Sequence, residues 1–222
     1  MRCFIFFFSI ILLAACEQKV KHCNCKSDDE SLKAYNDVLN ELIETRFYNF
    51  YLGEEEVGLS AKYTDTAARR KEILKLRNKL FGDSYRFGIL YLDTALRPYF
   101  SPLSVYKAAA NPYSRLFLQV ICSFSDQPQS IIDSLNHLQQ TYIAADFESC
   151  VAMIRNINDI DTTRFSIGRI KLSAICFNRQ HNRGILYYEF RCGWLCGKGE
   201  VLVIEKTTNC WRIANTMQEW RS

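Results

Sequence analysis

The chain has 222 residues, 48% of them hydrophobic and 23% charged, with a formal net charge of +4. These proportions exclude a disordered chain and suffice for one domain with a sizeable core. So small a positive excess gives no footing for nucleic-acid binding.

The first segment is an address rather than part of the fold. Arg2 precedes an apolar run, Cys3 to Leu13, too short to cross a bilayer, which takes roughly 20 residues. It ends in Leu13-Ala14-Ala15-Cys16, small residues before a cysteine, which resembles the lipobox of bacterial lipoproteins. The resemblance implies that residues 1–15 are a signal peptide cleaved before Cys16, and that Cys16 carries a diacylglycerol on its thiol and an acyl chain such as palmitate on its new amine. Several chains on one residue anchor stably. The expected location is therefore the cell envelope, on the outer membrane, with the membrane as a partner through Cys16. Export also permits disulfides. Ten cysteines, less Cys3 and Cys16, leave Cys23, Cys25, Cys122, Cys150, Cys176, Cys192, Cys196 and Cys210. That even set allows bridges without fixing their pairing.

Residues 16–26 are polar and aperiodic and read as a tether. Cys23 and Cys25 beside His22 are too few for a metal site without a fourth ligand. Residues 27–222 form the single domain. Ser27-Asp28-Asp29-Glu30 has capping-box spacing, and Leu32, Tyr35, Val38, Leu39, Leu42, Ile43 and Phe50 fall on one face of the helix that should follow. Gly53 is its expected stop, with Glu54, Glu55 and Glu56 in a solvated loop.

A second helix is expected from Asp65 to Phe81, ended by Gly82, with Lys71, Lys75 and Lys79 on its solvated face. Tyr85 to Leu92 reads as a buried strand. Leu116 to Cys122 is ambiguous between strand and helix. Asp126 and Pro128 start a helix carrying Ile131, Ile132, Leu135, Leu138 and Tyr142, and His137 within it has no evident partner in sequence. The spacing of Phe147, Val151 and Ile154 predicts another helix over 146–157. From 165 to 222 short apolar runs at Arg169–Phe177, Gly184–Phe190, Glu200–Lys206 and Trp211–Ala214 are separated by turn residues at 178–184, 192–199 and 207–209, the pattern of an antiparallel meander.

Ser173-Ala-Ile-Cys-Phe177-Asn178, Cys192-Gly-Trp-Leu-Cys196-Gly-Lys-Gly199, Val203-Ile-Glu-Lys206, Trp211-Arg-Ile213 and Trp220-Arg-Ser222 resemble a group of lipoproteins from Bacteroidota-type bacteria. That group has a C-G-x-L-C-G-x-G segment, then a strand ending in Lys, a W-[KR]-[IV] strand and a closing W-x-S. The match covers roughly the last third; Cys210 departs from it, standing where the group has a turn residue. The resemblance implies location and fold and carries no catalytic residue.

If a hairpin turns through Gly193, Trp194 and Leu195, Cys192 and Cys196 oppose each other within reach of a disulfide. A redox-active pair is disfavoured: the spacing is C-x-x-x-C and the residues that follow read as strand, so no helix N-terminus lowers a thiol pKa. Zinc would need further ligands, with Cys176, His181 and Cys210 the candidates, at a spacing unlike any finger. The Gly193–Gly199 segment lacks phosphate-loop spacing and leads into a strand, so its glycines are read as permitting positive φ. Trp194 is read as an exposed contact or as folded back on the sheet. No Ser/His/Asp, HExxH or paired-carboxylate signature is visible.

The fold class expected is therefore α+β, with N-terminal and central helices packed on a C-terminal antiparallel β-meander. The function expected is that of a lipid-anchored binding or assembly module for an unidentified protein or small-molecule ligand, without catalytic residues, resident metal or cofactor. The alternative is a thiol- or metal-dependent enzyme centred on Cys192 and Cys196.

Overall fold

The computed structural model describes residues 27–81, 88–94, 119, 121–122, 124, 128–137, 140–161, 166–193 and 196–222. Cys16, Cys23, Cys25 and Trp194 lie outside the described residues, as does the expected stop at Gly82. The fold is α+β. A seven-stranded sheet runs in the order β2 (Met153–Asn156), β1 (Ile89–Leu92), β3 (Ser166–Leu172), β5 (Arg183–Gly193), β6 (Cys196–Lys206) and β7 (Trp211–Arg221), and β4 (Cys176–Phe177) pairs with β5 off this path.

The first helix, α1 (Glu30–Leu42), starts later than the capping box places it. Asp29 is the cap: its Oδ1 accepts from the amides of Ser31 at 2.9 Å and Leu32 at 3.3 Å. Ser27 instead accepts from the Asp29 amide. A carboxylate does the same work as a hydroxyl at a helix N-terminus and adds favourable charge. The apolar stripe lies where the periodicity puts it, with Leu32, Tyr35, Val38, Leu39, Leu42 and Ile43 all buried.

The helix does not end at Gly53. It passes through one π-helical turn (Ile43–Phe47) into α2 (Tyr48–Lys62), so Glu54, Glu55 and Glu56 lie in a helix and not in a loop. An interior glycine costs a helix only about 1 kcal/mol, which the burial of Phe47 and Tyr48 exceeds. The next helix, α3 (Thr66–Phe81), forms as expected, with Asp65 accepting from the amides of Ala67 and Ala68.

Strand β1 (Ile89–Leu92) is buried at every position and is the C-terminal half of the expected Tyr85–Leu92 strand. It pairs in parallel with β2 (Met153–Asn156) on one side and with β3 (Ser166–Leu172) on the other. One expectation is borne out and one is corrected. From β3 onward the strands pair antiparallel, as a meander does, while β1 and β2 extend the sheet beyond it in parallel. Residues 146–157 are not a helix. They form the end of a short 3-10 turn (Ala144–Asp146) and then β2. The spacing of Phe147, Val151 and Ile154 fits a helical face, but α1 holds this segment extended. The Glu148 amide donates to Asn36 Oδ1, Ser149 Oγ donates to Asn40 Oδ1, and Tyr48 Oη donates to the Val151 carbonyl.

Residues 119, 121, 122 and 124 are helical, which resolves the ambiguity at Cys122. A further helix, α4 (Pro128–His137), starts where Pro128 places it; Leu138 lies outside the described residues. Tyr142 belongs to the coil beyond it and packs edge-on against Tyr35.

The antiparallel part follows. After β4 (Cys176–Phe177) come β5 (Arg183–Gly193), β6 (Cys196–Lys206) and β7 (Trp211–Arg221). Alternation on these strands builds two cores. Leu186, Tyr188, Phe190, Leu202 and Ile204 pack with α1 and the π turn. Ile185, Tyr187, Val201 and Val203 pack with Ile121 and with Ile131, Ile132 and Leu135 of α4. The sheet is the middle layer between helices.

The candidate functional site: a charged recess beside a cystine-closed hairpin

The strands of the β5–β6 hairpin run further than the sequence indicates. Of residues Cys192 to Gly199, read as a turn, all the described ones are strand. Cys192 and Cys196 are joined by a disulfide with Cα atoms 5.1 Å apart. They are not direct partners, because Cys196 pairs with Gly193 and the register slips between Arg191 and Gly193. The bridge therefore spans a bulge. Cys150 is disulfide-bonded as well.

Gly197 and Gly199 of this segment serve clearance, not backbone rotation. Among the described glycines only Gly168 has positive φ. A β-carbon on Gly199 would stand 2.2 Å from Trp220 Nε1 and 2.4 Å from Tyr187 Oη. A bare strand at this point lets the Trp220 indole cross β6 and donate to Tyr187 Oη at 2.9 Å. The indole then forms a platform, and the Arg191 guanidinium lies over it at 5.4 Å.

On the same face of the sheet, away from α1, lies a recess of about 300 Å³ lined by Asp93, Arg169, Lys171, Glu189 and Arg191. Asp93 extends β1, its amide donating to the Ile170 carbonyl. Arg169 and Lys171 alternate along β3, and they face Arg191 and Glu189 directly across the ladder. Lys171 Nζ stands 3.8 Å from Glu189. The alternation of Arg169 and Lys171 against Ile170 and Leu172 is visible in sequence. Their registration with Arg191 and Glu189 is not, and the sequence reading missed this site for that reason.

The opposite face carries a buried polar cluster at the same end of the sheet. The π turn aims Arg46 at β6, where its guanidinium donates to Glu200 Oε2 at 2.5 Å and to Thr216 Oγ1 at 2.7 Å. Tyr188 Oη also donates to Glu200, and Lys198 Nζ lies 3.2 Å from its other oxygen. Burial pulls the Lys198 amine below the ordinary lysine range, against the pull of Glu200. Burial likewise holds the Tyr188 hydroxyl protonated well beyond its usual range. Tyr188, Lys198 and Glu200 are buried beneath a half-buried Arg46, and each is hydrogen-bonded within the cluster, as a structural cluster is.

The remaining sequence candidates do not converge. Cys176 is half-buried, and burial pushes its thiol up, so it is no thiolate at neutral pH. His181 stacks on Phe177 with ring centroids 5.3 Å apart, and Cys210 bonds with Thr207. No three His, Cys, Asp or Glu side chains among the described residues are grouped to hold a metal ion. Lys75 pairs with Glu72 on its own helix. A concavity of about 550 Å³ runs along α3, and the described residues that line it, Arg70, Lys71, Leu74 and Lys75 among them, all belong to that helix. None of the described helices is long and apolar enough to cross a membrane. No family model, no curated protein and no solved structure matches this chain.

Proposed function

We propose that the chain is an envelope lipoprotein anchored through Cys16, and that its domain is a binding module rather than an enzyme. The anchor is supported by Leu13-Ala14-Ala15-Cys16 after an apolar run, followed by a polar tether. The observation that carries the binding role is the recess on β1, β3 and β5. Among the described residues its lining is Arg, Lys, Asp and Glu, side chains of recognition rather than the thiol, hydroxyl or imidazole of nucleophilic work. The disulfide does not favour the thiol-enzyme reading, because both sulfurs belong to strands of a hairpin and not to the start of a helix.

Mass spectrometry of the N-terminal peptide of the mature protein tests the anchor. A diacylglyceryl, N-acylated Cys16 is expected, and Cys16→Ala should accumulate unprocessed precursor. A mature, unacylated wild-type protein would overturn it. The binding role is tested by crosslinking from intact envelopes and by incubation of the purified chain with a substrate library. Turnover with a defined pH profile would overturn the non-enzymatic reading.

A further inference from the structure

We infer that the recess binds an oxyanion, a carboxylate or phosphate group, in the fork between Arg169 and Arg191. This rests on the binding-module reading above and names the chemistry of its ligand. Arg169 and Arg191 are direct cross-strand partners, and like charges in that position weaken a ladder. Two rungs along, the next on the same face, Lys171 faces Glu189, the complementary arrangement. This face of the sheet thus pairs opposite charges at one position and sets two arginines together at the next. An anion between them converts the repulsion into attraction.

The balance of charge agrees. Among the described residues three cations and two carboxylates line the recess. Lys171 and Glu189 lie against each other, and of these five groups that sets Asp93 against two guanidiniums.

Arg191 is also presented rather than left to swing. Its guanidinium rests on Trp220, and Trp220 is itself fixed by Tyr187. Stacking uses the face of a guanidinium, while the in-plane N–H fork is the part that recognises carboxylate and phosphate. The cystine-closed bulge begins at the residue after Arg191, and bulges re-aim neighbouring side chains. A volume of about 300 Å³ lies at the small end of ligand sites. It suits a small anion, or the anionic headgroup of a lipid entering from its edge.

The test is calorimetric titration of the full chain in detergent at constant ionic strength. Inorganic phosphate and succinate are the soluble probes, and short-chain phosphatidylglycerol, against short-chain phosphatidylcholine as its neutral control, is the lipid probe. Saturable binding of a soluble probe above a chloride control is expected if the ligand is a free anion. Saturation by phosphatidylglycerol alone assigns it to a headgroup. Arg169→Gln and Arg191→Gln should each weaken binding at least tenfold with unchanged circular dichroism, and Arg179→Gln, an exposed cation elsewhere, should not. No saturation by any probe, or equal losses in all three variants, would overturn the inference. That result would leave the binding-module reading to envelope crosslinking. Saturation together with turnover would support the site and overturn the non-enzymatic reading.

Discussion

The indole of Trp220 and the hydroxyl of Tyr187 are hydrogen-bonded across a strand that lies between them, over a residue with no side chain, Gly199. A methyl group there meets both partners at under 3 Å, and both belong to strands that cannot easily move apart. Gly199→Ala should cost about 1–3 kcal/mol, the range for overpacking a filled site. Gly58→Ala is the contrast. Gly58 sits in α2, where an added methyl has nothing within 4 Å of it, so the substitution should stabilise by about 0.5–1 kcal/mol. Thermal melts of the two variants should shift in opposite directions.

The cluster under the π turn should respond unequally to its members. Glu200 accepts from Arg46 and Tyr188 and contacts Lys198. Glu200→Gln leaves two cations with no countercharge and should destabilise by about 3 kcal/mol. Lys198→Met should be close to neutral, because Arg46 and Tyr188 still hold Glu200 and the amine is disfavoured by its burial. Equal losses in urea denaturation would contradict this division of roles.

Alkaline pH should unfold the protein. Burial raises the hydroxyls of Tyr35, Tyr48, Tyr187 and Tyr188 above the ordinary value near 10, and Tyr142 is pushed up to about 12. A raised folded pKa means that the native state keeps protons the unfolded chain releases. The stability is therefore whole below pH 10 and falls above it, by about 1.4 kcal/mol per pH unit for each such tyrosine. Lys198, lowered on folding, works the other way, since stability rises with pH up to its unfolded value. One amine does not offset several phenols. Of the twelve tyrosines, the buried ones should ionise at 295 nm only with loss of structure; ionisation of all twelve in a native protein would contradict the burial.

Thiol chemistry should separate the cysteines. Cys122 is exposed, while Cys176 and Cys210 are partly covered. Iodoacetamide should label Cys122 first in the native protein, and Cys176 slowly because its thiol is raised. Cys150, Cys192 and Cys196 should label only after reduction. The Cys192–Cys196 loop is short, so its reduction should cost only about 2 kcal/mol. Labelling of Cys192 without reductant would contradict the bridge.

Local chemistry was legible in the sequence wherever it decides structure on its own. Asp65 and the periodicity after it place α3, Pro128 places the start of α4, and the runs after 165 place the strands. Three features depend on partners distant in sequence and could not be read. The π turn exists because Arg46 and Phe47 must both meet β5 and β6, with Phe47 stacked on Phe190 at 3.8 Å. The segment after Asp146 has helical spacing, yet Asn36 and Asn40 hold it extended. The glycines near Gly199 look like turn residues, and their reason is an indole from another strand. The recess needed the register of β3 on β5 for the same reason.

The hold of α1 on β7 bears on how the chain reaches this fold. Asp37 and Glu41, one helical turn apart, accept the amides of Trp211 and Ile213 across separations of 174 and 172 residues. These carboxylates cap donors of an edge strand, a strand rim that would otherwise recruit other chains. Neither partner has its mate until nearly the whole sequence is available. Such long-range closure makes folding slow and unsuited to proceeding segment by segment during synthesis. A chain released before β7 is made would expose both the carboxylate row of α1 and the bare edge of β6.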